Sequence, residues 1–153
     1  MINGVINVYK EVGYTSHDVI AILRGILSQK KIGHTGTLDP EAKGVLPVCL
    51  GNATKVSEII IDKSKTYEVV GLLGVVTDTH DIYGKTIETN EVNLEAEQVI
   101  NVINSFLGEY SQIPPMYSAL KVGGYKLYEL ARQGQEVERK ARKVQIHKID
   151  IIE

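Results

Sequence analysis

At 153 residues, 43% of them hydrophobic and 24% charged, the sequence has the composition of a soluble globular protein and the length of one domain with a workable core. A single cysteine, Cys49, excludes an internal disulfide and makes a reducing, cytoplasmic compartment the default. The net charge of −2 argues against general polyanion binding, yet residues 121–143 hold seven basic and three acidic side chains, a local +4 that leaves −6 elsewhere. Such a stretch suits phosphate contacts, and equally a solvated face. No basic segment followed by an apolar one opens the chain, and no window approaches the roughly 18 apolar residues of a membrane span, so neither export nor insertion is expected.

In chain order, Gly4 to Tyr9 reads as a short strand. Thr15 or Ser16 then caps a helix whose apolar positions Val19, Ile20, Ile22, Leu23, Ile26 and Leu27 follow helical spacing. The helix is expected to end near Ser28 to Lys30, with Lys30 and Lys31 favourable at its carbonyl end. Residues 32–44 contain three glycines, one proline and no apolar period, which marks a loop of functional length. Leu46 to Leu50 reads as a buried strand, with Cys49 as a small core side chain. Thr66 to Val76 and Ile82 to Thr89 are β-rich and flank a polar stretch, predicting a hairpin with a long tip. Asn93 is expected to cap a second helix that buries Leu94, Val99, Ile100, Val102, Ile103, Phe106 and Leu107 and ends at Gly108. Gln112 to Tyr117 carries Pro114-Pro115 and is irregular. A short helix near Lys126 to Gln133 stops at Gly134, and Val144 to Ile152 forms a last strand. This order of elements predicts an α+β fold with a mostly antiparallel sheet flanked by helices.

The loop at 32–44 holds the residues with chemistry. Asp39 follows a glycine-containing loop and precedes Pro40, which fixes the exit geometry and keeps Asp39 out of helical conformation. A carboxylate presented this way can act as nucleophile or base, or simply form an Asp-Pro turn. His34 is a candidate base, stacking group or satisfied loop histidine. Metal-ligand spacing is absent around it, and His80 between Asp78 and Asp81 reads as a polar hairpin tip, so no metal is predicted. Walker-type, dinucleotide-binding and nucleophile-elbow motifs are absent, which points away from the common NTPase, dehydrogenase and hydrolase chemistries.

The run Lys31-Ile-Gly-His-Thr-Gly-Thr-Leu-Asp-Pro-Glu-Ala-Lys-Gly-Val-Leu-Pro-Val-Cys-Leu-Gly51 resembles the catalytic motif of the TruB family of tRNA pseudouridine synthases. Further blocks match that family in order: Gly13-Tyr-Thr-Ser-His-Asp18, Asn52-Ala-Thr-Lys55, Lys65-Thr-Tyr67, Thr77-Asp-Thr-His-Asp81 and Pro114-Pro-Met-Tyr-Ser-Ala-Leu-Lys121. Glu11, where proline is common, and Lys43, where threonine is common, depart from the pattern without touching the proposed chemistry.

The resemblance implies a pseudouridine synthase catalytic fold and isomerisation of the uridine at position 55 of the tRNA T-loop, without cofactor, because the uracil stays bound and only rotates. It implies Asp39 as the catalytic carboxylate and Tyr67 as the residue that stacks on the flipped uracil. His34 would hold open the vacated space in the T-loop, with Gly36, Thr37, Lys55 and Asp81 on the RNA-binding side. Residues 112–142, with Lys121, Arg132 and Arg142, resemble an insertion that clamps the T-arm. The implied partner is tRNA, with no membrane and no obligatory protein partner. The 153 residues read as the front part of such a catalytic domain. A later arginine block and the C-terminal RNA-binding domain lie outside them, so the isolated chain is expected to be weak or inactive. The alternative reading is an RNA-binding or RNA-folding module without chemistry.

Overall fold

In the computed structural model, which describes residues 1–61, 64–118 and 120–152, the alternating N-terminal stretch forms β1 (Gly4–Lys10). Its inward positions are Ile6, Val8 and Lys10, while Val5, Asn7 and Tyr9 face solvent, as strand alternation requires. Helix α1 (Ser16–Ile26) follows. Thr15 is its N-cap: the Asp18 N–H donates to Thr15 Oγ1 at 3.1 Å, and the Asp18 carboxylate accepts the Thr15 N–H at 2.8 Å. This reciprocal pair satisfies two orphan donors of the first turn. The helix ends earlier than expected, because Ser28 already adopts a left-handed conformation with φ of 48°. Arg24, rather than Lys30 or Lys31, occupies the last turn, and its guanidinium donates to the carbonyls of Lys30 and Ile32.

The Thr15 hydroxyl and N–H hold the Asp18 carboxyl below its ordinary value of 3.8. A depressed folded-state value means the cap contributes above that ordinary value and loses its contribution as pH falls through the folded one. Thermal unfolding of Asp18→Asn and the parent is therefore expected to differ at pH 7 and to differ less at pH 3, below the ordinary value. An equal gap at both pH values contradicts this account.

Strand β2 (Ile32–His34) lies inside the stretch expected to be entirely loop. Ile32 is buried in the core and pairs with Leu50, so one apolar contact and an available strand edge order three residues that show no period of their own. Strand β3 (Gly44–Leu50) is central, antiparallel to β1 on one side and β2 on the other. The core joins Leu46, Val48 and Leu50 to Ile32 and to Val19 and Ile20 of α1, with Ile6, Val8, Leu23, Leu27 and Leu38 packed against it. Cys49 is buried, and desolvation pushes its thiol pKa up, in keeping with a core role. Gly51 then takes φ of +58°, and a Cβ there would meet Ile2 O at 2.6 Å, so only glycine fits. A 3₁₀ turn (Gly51–Val56) and α2 (Ser57–Ile61) follow.

These elements belong to the first of two compact units, Met1–Glu68. The second, Val69–Glu153, is built from antiparallel pairs. Strands β4 (Val75–Thr77) and β5 (Thr86–Thr89) form the expected hairpin, but much shorter than the β-rich sequence suggests. Residues 66–74 are in no strand, and Val70 is 94% exposed. β-branched composition favours a strand only where a partner and a covered face exist; residues 66–73 are exposed and show neither among the described residues, and only Gly74 is tied to the hairpin, by accepting the Asn90 N–H. Helix α3 (Ala96–Asn104) is capped by Glu95, not Asn93, and ends at Ser105 before Gly108. Only Val99 and Ile103 of its apolar face are half-covered; Ile100, Val102, Phe106 and Leu107 remain exposed.

Strand β6 (Gly108–Gln112) precedes the irregular Pro114-Pro115 segment, in which Ala119 lies outside the described residues. Strands β7 (Lys121–Val122) and β8 (Tyr125–Lys126) make a tight hairpin across Gly123 and Gly124. Helix α4 (Leu127–Arg132) buries Leu127 and Leu130 and stops at Gly134, whose φ of 71° and N–H bond to Ala131 close the end. Strand β9 (Arg142–Ile146) pairs with β6 and is shorter than the expected 144–152 run. Helices and wholly antiparallel sheets make the fold α+β, as expected.

Candidate active-site loop

Residues 35–43 cross from β2 to β3 and carry Asp39. The loop is pinned at several points by groups distant in sequence. Thr35 donates both its N–H and its hydroxyl to the Pro47 carbonyl, at 3.0 and 3.2 Å. Leu38 packs on the core, and its N–H donates to Ser16 Oγ at 3.0 Å while its carbonyl accepts from that hydroxyl at 3.3 Å. The Pro40 carbonyl accepts the Gly13 N–H at 2.8 Å. It also accepts from Lys10 Nζ at 3.4 Å; the ammonium donates as well to the carbonyls of Tyr14 at 2.8 Å and Glu11 at 3.0 Å. Lys10 is 0% exposed, and its three donors have three acceptors. Asp39 O closes the turn by accepting the Ala42 N–H at 3.0 Å.

Between these anchors the Asp39 side chain is exposed and makes no hydrogen bond or ion pair among the described residues. The carboxylate is therefore not consumed by an Asx turn, the usual employment of an aspartate before proline. His34 ends β2, half-buried, and its Nδ1 is buried with no partner among the described residues. A buried ring nitrogen of this kind is available to an incoming polar group. Gly36 is half-buried and Thr37 exposed on the same loop. Lys55 is exposed on the 3₁₀ turn. Tyr67 is 69% exposed outside any strand, and no hydrogen bond, ring contact or groove among the described residues joins it to Asp39 or His34. The first unit thus places His34 at the end of β2, beside Gly36, Thr37 and Asp39 on the loop that follows, and leaves Tyr67 apart.

In the second unit, Asp81 is tied into its own hairpin tip: it accepts from Thr79 Oγ1 at 2.7 Å and from the Tyr83 N–H at 2.9 Å. Asp78 accepts the Lys85 N–H at 2.8 Å, so the acids around His80 serve the turn. Among the described residues no three His, Cys, Asp or Glu side chains converge as a metal set. Lys121 is exposed on β7. The Arg132 guanidinium and Lys126 Nζ each lie 5.4 Å from the centre of the Tyr128 ring, a cation–π arrangement. Arg142 donates two N–H groups to Gln112 Oε1, its cross-strand partner.

Three residues escaped the sequence reading. Lys10 was legible through strand alternation, which places it inward after Ile6 and Val8. Ser16 was read only as a candidate cap. Arg139, with Nε buried and without a partner among the described residues and Nη2 on Glu136 at 3.1 Å, lines a groove with Asp78, His80, Pro115, Tyr117 and Glu136; the sequence marked it only as one of the seven basic residues of 121–143.

Residues 24–153 match the family described as "TruB family pseudouridylate synthase (N terminal domain)". A protein of Lachnoclostridium phytofermentans called tRNA pseudouridine synthase B is 61% identical over 150 residues, covering 98% of this chain and 49% of that protein. One of the same name from Clostridium perfringens (strain SM101 / Type A) is 55% identical over 151 residues, again 98% of this chain and 51% of the relative. The chain thus spans about half the length of these relatives. Among solved structures, a chain of a Cbf5-Nop10-Gar1 complex superposes with a TM-score of 0.62 at 30% identity, covering 98% of this chain and 35% of that one. No helix among the described residues is long and apolar enough to cross a membrane.

Proposed function

The chain belongs to the TruB family of pseudouridylate synthases, and from that premise we propose that it carries the catalytic loop for isomerising a uridine of the tRNA T-loop, at position 55, with Asp39 as the reacting carboxylate. The observation that carries this reading is a carboxylate left free on a loop whose backbone is pinned on both sides of it. A solvent-facing turn needs no such anchoring. A group that must meet one bond of a bound nucleotide does, because misplacement by about 1 Å lowers a rate about 100-fold.

The target base is buried in folded RNA and must be extruded, at a cost of a few kcal/mol. Tyr67 stacks on the extruded uracil, and stacking on an aromatic ring returns roughly 1–3 kcal/mol. His34 fills the vacated space, with Gly36, Thr37 and Lys55 against the RNA, and Asp81, Lys121, Arg132 and Arg142 contacting it from the second unit. Residues 112–142 clamp the T-arm. Asp39 initiates cleavage of the N1–C1′ bond; the uracil turns in place, C5 bonds to C1′, the C5 hydrogen leaves and N1 gains a proton. Atoms balance without an oxidant, a reductant or a group carrier.

The open surroundings of Asp39 and the exposure of Tyr67 favour one second reading, a module that binds or folds RNA without chemistry. One assay separates the two. A T-arm stem-loop labelled with tritium at uridine C5 is incubated with a protein of its relatives' length carrying this chain. Tritium release is expected, with little or none from the 153-residue chain alone. Binding without release establishes the module instead.

A further inference from the structure

We infer that Ser16 is the positioning residue of the catalytic loop: one buried hydroxyl holds both backbone groups of Leu38 and thereby fixes where the next side chain, the Asp39 carboxylate, stands. The inference rests on the reading of Asp39 as the catalytic group.

Ser16 is the first residue of α1, a position whose hydroxyl ordinarily serves the helix end. Here that duty is already discharged, because Thr15 and Asp18 form a complete capping box. The Ser16 hydroxyl is instead turned to a residue 22 positions away. It accepts the Leu38 N–H at 3.0 Å and donates to the Leu38 carbonyl at 3.3 Å, and the residue is 3% exposed. The two bonds set two different peptide planes. The N–H belongs to the plane shared with Thr37, and the carbonyl to the plane shared with Asp39. Fixing the second plane fixes the direction in which the Asp39 Cα leaves it.

The far side of Asp39 is held independently, through Pro40 to Gly13. Leu38 itself is anchored in the core. What remains adjustable is the rotation of the Leu38 peptide groups, and the Ser16 hydroxyl is the group that opposes it. Removing the hydroxyl leaves a part-buried N–H and carbonyl without a partner, and the loop relaxes by turning them toward water. The core, whose apolar cluster does not include Ser16, stays in place.

The test uses a protein of its relatives' length, with turnover read as tritium release from C5-labelled T-arm RNA. Ser16→Ala is expected to lower kcat about 30- to 100-fold with KM unchanged within about 3-fold, the size of effect that a displacement of about 1 Å produces. Amide hydrogen exchange at Leu38 is expected to accelerate at least tenfold, and exchange at Val48 in the core strand to stay as it was. Should Ser16→Ala fail to fold, Ser16→Cys keeps the volume, weakens the hydrogen bonds and is read the same way. An unchanged kcat, a loss confined to KM, or equal acceleration at Leu38 and Val48 overturns the inference. Asp39→Asn is measured alongside. Retained turnover there removes the catalytic reading itself; a dead Asp39→Asn beside a fully active Ser16→Ala removes only the positioning role.

Discussion

Asp39→Asn is expected to abolish pseudouridine formation, by about 10³-fold or more, while RNA binding persists within a few-fold. The substitution keeps the volume, the backbone and the turn, since the anchors of the loop are Ser16, Gly13, Lys10 and Pro47 and none of them touches the Asp39 side chain. It removes only the charge and the nucleophilic or basic oxygen. Loss of a single reacting group from a set that acts as a unit typically removes most of the rate, leaving what binding and orientation supply. Affinity for RNA is dominated by phosphate contacts, which lie with the cations and not with this carboxylate. Single-turnover tritium release, paired with filter binding of the same T-arm RNA, measures both quantities. Turnover within tenfold of the parent would take Asp39 out of the chemistry.

The second large effect is on stability. Lys10→Met is expected to destabilise the first unit by about 2–4 kcal/mol, lowering its thermal midpoint by on the order of 10 °C. The ammonium is fully buried yet pairs with no carboxylate among the described residues; it is held by the carbonyls of Glu11, Tyr14 and Pro40. Hydrogen bonds from a charged donor contribute about 1.5–3 kcal/mol each before the cost of desolvating that charge is set against them. Methionine fills the space of the stem, so the loss reports the ammonium rather than a cavity. Because Pro40 keeps its bond from Gly13, the loop is expected to loosen on one side without detaching. Circular dichroism melts of parent and variant decide it, and a shift under about 2 °C shows that the three carbonyls are served equally well by water.

Much of this architecture was legible locally. The short strand at Gly4 to Tyr9, the helical spacing from Val19 to Leu27 and the apolar run at 46–50 each carry their signal in a few residues, and all three elements form, the strand reaching Lys10 and the helix stopping at Ile26. The polar, glycine-containing loop before β3 was legible for the same reason, as was the stop at Gly134. What failed were features whose outcome depends on a neighbour. Ile32 looked like loop and became strand because β3 offered an edge. Residues 66–73 looked like strand and form none. The second helix lost its expected cap at Asn93 to Glu95, whose N–H donates to Gln98 Oε1 in the first turn.

The sequence by itself determined the α+β class, the first core and the loop that bears Asp39, because short-range periodicity and turn chemistry are properties of adjacent residues. Its ordered motif blocks pointed to the family. Only the tertiary structure decided what holds that loop: a lysine 30 positions away, brought to Pro40 by the pairing of β1 with β3, and a serine 22 positions away, brought to Leu38 by the packing of α1 on the sheet. Hydrogen bonds between residues so far apart in the chain follow from packing, and no local pattern encodes them.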